Sequence, residues 1–178
     1  MVLIRGVLLT ETLSSVLPAD LEHDIQGVLR ALYEKKLTVA TAESCTGGLL
    51  SSILTDVDGF GHVFERGFVV YTELAKHEML GVPMATLRTE GAVSEATAIA
   101  MAEGALAHSM ADLAISVTGF AGPAGPGDMP GLVHLAALRR GREAFRRRAE
   151  FGPAGRGTVR IATIRSAIDL LAAVINSH

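Results

Sequence analysis

The stretch TVATAESCTGGLL, Thr38 to Leu50, constrains the fold more than any other part of the chain. Leu37 to Ala42 is apolar and β-branched and reads as a short buried strand. Glu43, Ser44, Cys45 and Thr46 follow as a small polar cluster, and Gly47 to Thr55 reads as a helix. A strand that passes directly into a helix is the repeating unit of layered α/β folds. The junction itself is either a helix cap and nothing more, or an active site.

The rest of the chain keeps the same alternation. After Pro18, Leu21, Ile25, Val28 and Leu32 recur at helical spacing and the pattern closes at Lys35–Lys36, where positive charge suits a helix C-terminus. Val63 to Tyr71 predicts a second strand, Thr72 a cap for a helix over Glu73 to Leu80, and Pro83 the start of another short helix. Ser94 predicts an N-cap, with Ile99, Ala102 and Leu106 as the buried face of a helix running to about Ser109. Asp112 to Thr118 predicts a third strand. GFAGPAGPGDMPG, with five glycines and three prolines, predicts an irregular loop. Leu132–Leu138 and Glu143–Phe151 flank RRGR as a hairpin, and a last helix after Gly157 carries the stripe Ile161, Ile164, Ile168, Leu171, Ile175. The expected fold is a layered α/β/α sandwich with a mixed, partly parallel sheet and a C-terminal hairpin, forming one domain over residues 19–178.

Composition narrows the class. The 178 residues are 49% hydrophobic and 20% charged, as in soluble globular proteins, and aromatics are only 4%, so aliphatic residues and alanine fill the core. The net charge of −3 gives no general attraction to nucleic acid. One cysteine, Cys45, excludes an internal disulfide framework and fits a reducing compartment. Residues 1–18 read as a leader of uncertain order. Their apolar runs are broken by Arg5 and Glu11 and fall short of the roughly 20 residues of a membrane span. A cytoplasmic location without membrane attachment is expected.

Three loops follow predicted strands: Glu43–Gly48, Tyr71–Lys76 and Thr118–Gly131. Ligands collect at strand carboxyl ends in α/β sheets, so these loops surround one pocket if the strands are neighbours. In the first loop Ser44 can project a hydroxyl beside free backbone N–H groups, or Ser44 and Thr46 merely cap a helix. The pattern is not G-x-S-x-G. Cys45 is the rival nucleophile, although a lone cysteine among apolar residues is usually buried and inert. Of 16 basic residues only Lys35, Lys36 and Lys76 are lysine. Lys76, near the start of a short helix, becomes a usable base if burial lowers its pKa; otherwise it is a surface lysine beside a core Tyr71. The dinucleotide and phosphate-loop glycine patterns are absent, and the histidines, His77 included, lack metal-ligand spacing. RRGREAFRRR holds six arginines in ten residues and is the best argument for nucleic acid; a solvated hairpin face is the plainer reading.

TVATAESCTGGLLSS, FERGFVVYTELAKHEMLGVP, EGAVSEATAIAMAEGA and ADLAISVTGFAGPAG, in that order, resemble the C-terminal domain of the competence/damage-inducible protein CinA, a family that includes stand-alone nicotinamide mononucleotide (NMN) deamidases. The resemblance covers residues 21–125 closely and the remainder loosely. It implies an amidohydrolase that converts NMN to nicotinate mononucleotide and ammonia without metal or cofactor. It puts Ser44 in the role of nucleophile and Tyr71 and Lys76 in that of activating pair. It also implies a substrate site around Glu43, Cys45, Thr46, Gly47, Gly48, Thr118, Gly119, Arg156 and Arg160. The partner it implies is a small pyridine nucleotide, not nucleic acid or membrane, and a homo-oligomer is allowed.

The chain departs from the family at the substrate periphery. The family's third loop is longer and ends in Lys-Pro-Val-Gly-Thr-Val. Here DMPGLVH keeps Pro130 and Gly131 but lacks the lysine. Phe-x-Gly-Asp-Arg becomes FGPAGR, without the aspartate before Arg156. CinA's usual N-terminal domain, of molybdopterin-binding type, has no counterpart in these residues. Three readings therefore compete: an NMN-type amidohydrolase, a catalytically silent nucleotide-binding or regulatory protein, and a nucleic-acid accessory protein using the arginine hairpin.

Overall fold

The computed structural model describes residues 17–177. Of the expected leader, residues 1–16 lie outside the described residues. Helix α1 (Ala19–Glu34) precedes strand β1 (Val39–Glu43) and the short helix α2 (Leu49–Leu54). Strand β2 (Phe64–Val69) leads to α3 (Glu73–Leu80), α4 (Met84–Glu90) and α5 (Glu95–Ala107). Then come β3 (Leu113–Gly119), β4 (Leu132–Arg139), β5 (Phe145–Glu150) and α6 (Arg156–Asn176). The five strands form one mixed sheet in the order β2-β1-β3-β4-β5. β1 runs parallel to both β2 and β3, and β3, β4 and β5 are antiparallel, so the expected partly parallel sheet with a terminal hairpin is what the chain forms.

Helices cover both faces, and the two faces differ. Leu113, Ile115, Val117, Val133 and Leu135 point their bulk at α1, α2 and α6. Ala40, Ala42, Ala114 and Ala136 face α3, α4 and α5. The alternation of large and small residues in LAISVT along β3 is the sequence cause, since successive strand side chains point to opposite faces. On the small side α5 lies close enough for Ser116 Oγ to donate 2.5 Å to the Ala98 carbonyl.

The helix ends follow local chemistry. Thr72 Oγ1 accepts the Ala75 N–H at 3.1 Å and Ser94 Oγ accepts the Thr97 N–H at 3.2 Å, both N-caps expected from sequence. Two expected stripes differ in detail. Ala102 and Leu106 are buried as expected, but Ile99 is only half-buried and Ala98, Met101 and Ala105 are buried in its place, because the small-residue sheet face admits the helix on its small residues. α6 starts at Arg156, ahead of Gly157, and its stripe is buried from Ile164 onward while Ile161 is half-buried. Gly104 sits where α5 meets the end of α3. A Cβ there would land on the Leu80 carbonyl, 2.9 Å from Leu80 Cβ.

Candidate active site

Because β2, β1 and β3 are parallel neighbours, their carboxyl ends lie side by side. They deliver Tyr71, Ser44 and Thr118 to one cavity of about 240 Å³, whose wall also holds Cys45, Lys76, Gly119, Phe120 and Arg156. Lys76 enters from the second turn of α3 and is 1% exposed. Its Nζ lies 3.0 Å from Ser44 Oγ, 3.2 Å from the Val70 carbonyl and 3.5 Å from the Tyr71 carbonyl. Burial holds the amine below the ordinary lysine value, and the nearby Cys45 and Glu73 act in the opposite sense. Burial also pushes the Cys45 thiol up to about 11, which makes it a poor nucleophile at neutral pH.

The turn that carries Ser44 is tightly specified. Gly47 and Gly48 have φ of 61° and 91°, a left-handed backbone that glycine adopts without strain. The Ser44 N–H donates to the Val117 carbonyl at 3.0 Å and the Gly47 N–H to the Ser44 carbonyl at 3.2 Å. Between them, the N–H groups of Cys45 and Thr46 donate to no other residue among the described ones. Thr46 itself is fully buried, and its carbonyl accepts from Arg160 Nη2.

The other expected site residues separate into two groups. Thr118 and Gly119 line the cavity, with Thr118 Oγ1 donating 2.7 Å to the Ala92 carbonyl. Arg156 also lines it, against Gly122, and is ion-paired to no carboxylate among the described residues. Tyr71 stands at the cavity mouth with 69% of its surface exposed, and it meets Lys76 through its backbone carbonyl. Glu43 is turned away from the cavity: its carboxylate, fully buried, accepts from Gly48, Leu50 and Ser51. Thr46, Gly47, Gly48 and Arg160 do not line the cavity, and Gly47 is exposed. Ala92 and Val93 also line the cavity wall. As small apolar residues they carry no chemical signature in sequence; only the cap at Ser94 marks that the chain turns there.

Elsewhere the arginine hairpin is engaged with carboxylates: Arg146 with Glu95 at 3.3 Å, Arg147 with Asp169 at 3.2 Å and Arg148 with Glu150 at 2.5 Å. Among the described residues no group of three or more His, Cys, Asp or Glu is placed to hold a metal ion. Nor is any helix among them long and apolar enough to cross a membrane.

Fold and site together define an α/β protein with a buried serine–lysine pair at the carboxyl ends of its parallel strands. The family model of the CinA C-terminal domain matches residues 22–175, and the chain belongs to that family. It is 44% identical to the competence/damage inducible protein CihA of Agrobacterium tumefaciens, whose crystal structure superposes with a TM-score of 0.87 over 90% of this chain and 98% of that one. A CinA superfamily protein of Escherichia coli is 30% identical, with a TM-score of 0.82 over 98% and 99% of the two chains. A CinA-like protein of Syntrophus aciditrophicus is 44% identical over 152 residues, 84% of this chain and 36% of the relative. The chain thus spans about a third of the length of that curated relative, and 27% of a putative competence-damage inducible protein of Caldicellulosiruptor bescii.

Proposed function

We propose that the protein is an amidohydrolase that converts nicotinamide mononucleotide to nicotinate mononucleotide and ammonia, with Ser44 as nucleophile and Lys76 as its base. The observation that carries this reading is the 3.0 Å approach of a buried lysine amine to a serine hydroxyl in the wall of the strand-end cavity. A neutral lysine has two N–H donors and one lone pair. The Val70 and Tyr71 carbonyls take the two donors, which leaves the lone pair for the Ser44 hydroxyl. Burial favours that neutral form.

The Ser44 proton passes to Lys76 as Oγ bonds to the carboxamide carbon. The oxyanion so formed meets the unspent N–H of Cys45, the residue after Ser44 in the cavity wall. Lys76 then gives its proton to the amide nitrogen, the C–N bond breaks, and ammonia leaves an acyl group on Ser44. A water molecule adds to the acyl carbon as Lys76 takes its proton; the C–Oγ bond breaks, the proton returns to Ser44, and the carboxylic acid departs. These steps need no metal or cofactor. Tyr71 offers its exposed ring to the pyridine ring at the cavity mouth.

The substrate phosphate belongs on the Arg156 side. The adjoining cavity beyond Ala92, Val93 and Phe120 is lined by Glu73, Glu90 and Asp128, which repel an anion. A pyridine nucleotide of the cytoplasm is the partner this reading calls for, and neither nucleic acid nor a membrane enters it. Ammonia release from nicotinamide mononucleotide by purified protein, beside its Ser44→Ala variant, is the test. Release by the parent alone is expected. Tight binding without release would favour a silent nucleotide-binding protein instead.

A further inference from the structure

A buried carboxylate is costly unless hydrogen bonds replace its water. Glu43, the last residue of β1, is ion-paired to no cation among the described residues and meets that cost with four donors. It accepts from the N–H groups of Gly48 at 3.1 Å, Leu50 at 3.0 Å and Ser51 at 2.7 Å, and from the Ser51 hydroxyl at 2.5 Å. Ser51 Oγ is in turn 2.7 Å from Thr41 Oγ1. On the neighbouring strand Gly67 leaves room for this pair; a Cβ there would stand 2.5 Å from Ser51 Oγ and 2.9 Å from Thr41 Oγ1. The backbone of Glu43 is fixed as well, its carbonyl accepting the Val70 N–H at 2.8 Å. One residue therefore ties the strand end to the first turn of α2, across the turn that carries Ser44, Cys45 and Thr46.

We propose that Glu43 is a positioning residue of the reaction. Its carboxylate staples β1 to α2, so that the Ser44 hydroxyl and the Cys45 N–H, both in the cavity wall, are presented as one rigid unit to the reacting carbonyl. This rests on the amidohydrolase reading above. Glu43 touches no substrate; it absorbs the backbone donors of Gly48, Leu50 and Ser51 at the start of α2, and the Cys45 N–H beside Ser44 stays unspent. A carboxylate is required because an amide at this place would point its own N–H groups at backbone donors.

The test compares the parent with Glu43→Gln and Ser51→Ala by four measurements: thermal unfolding, kcat and KM for nicotinamide mononucleotide, affinity for a boronic acid that mimics the tetrahedral adduct, and the rate of Ser44 phosphylation by an organophosphate. Expected for Glu43→Gln is a kcat lower by about a hundredfold, as for loss of an oxyanion donor, with boronate affinity and phosphylation lower by a similar factor and KM within about threefold. Ser51→Ala, which removes one of the four donors, is expected to lose about tenfold in the same three quantities. Lower thermal stability with kcat, boronate affinity and phosphylation rate all unchanged would mean that Glu43 is only a cap, and would overturn the proposal. Should Glu43→Gln not fold, Ser51→Ala decides by the same criteria. A parent that is phosphylated at Ser44 but releases no ammonia would overturn the substrate assignment alone, with Glu43 still judged by phosphylation; a parent inert to both would overturn both.

Discussion

Lys76 Nζ and Ser44 Oγ stand 3.0 Å apart although 32 residues separate them in the chain. Neither side chain reaches the other by local structure. β1 and β2 are parallel neighbours, so their carboxyl ends coincide, and the Thr72 cap starts α3 where its second turn points back at Ser44. Catalytic competence in the proposed reaction thus depends on a strand pairing and a helix cap as much as on the two residues.

Ser44→Ala is expected to lower kcat by several orders of magnitude while the protein stays folded, since no neighbour can repeat the geometry of the nucleophile. Cys45→Ala should cost less than about tenfold, because a thiol pushed up to about 11 supplies almost no thiolate at neutral pH. Steady-state ammonia release by the two variants checks the assignment. A dead cysteine variant beside an active serine variant would reverse it.

Lys76 links activity to stability through one titration. Its folded pKa is lowered by burial, so the unfolded chain binds more protons between that value and the ordinary lysine value of about 10.4. The contribution of the neutral amine to stability is intact above the unfolded value and is lost as pH falls through the folded one. Lys76→Met, uncharged and of similar length, should therefore gain in Tm relative to the parent as pH falls through this window, and level off below it. The parent's kcat/KM should rise with pH across the same lowered pKa, and Lys76→Arg should be inactive at every pH because arginine stays protonated. Two midpoints that disagree by more than about one unit would exclude Lys76 as the base.

Arg156→Ala is expected to raise KM for nicotinamide mononucleotide by roughly ten- to a hundredfold, the value of one charge-assisted hydrogen bond, with little change in kcat. Replacing DMPGLVH by the longer family segment with its lysine should lower KM in the parent. A fall in kcat with unchanged KM in Arg156→Ala would place this residue in the chemistry and not in phosphate binding.

Gly104→Ala tests the α3–α5 contact. Alanine favours a helix interior by about 1 kcal/mol over glycine, but here its methyl group would strike the Leu80 carbonyl. Overpacking costs about 1–3 kcal/mol, so net destabilisation is expected in denaturant unfolding. Because α3 also carries Lys76, kcat should fall in the same variant; a stabilised, fully active protein would show that the two helices part freely.

Much of the architecture is readable from periodicity and caps. Leu21, Ile25, Val28 and Leu32 are all buried on α1, and Thr72 and Ser94 cap the helices they precede. Strand order is not local information, so sequence alone leaves the meeting of the three loops conditional on β2, β1 and β3 being neighbours, which they are. Ser44 and Lys76 were legible as candidates because a hydroxyl at a strand–helix junction and a lone lysine at a helix start are unusual placements. The direction of Glu43 was not: a carboxylate in a polar cluster reads equally well as facing substrate or facing the helix. Arg160 is likewise opaque, because its contact with the Thr46 carbonyl joins positions 114 residues apart.

The burial of Cys45 has a practical consequence. The chain has one sulfhydryl, it lies in the wall of the cavity, and it is 7% exposed with its thiol held protonated. An alkylating reagent can modify it rapidly only when the junction between β1 and α2 opens. The rate of labelling in native buffer therefore meters that opening, and its suppression by a bound ligand would read out occupancy of the cavity without any turnover.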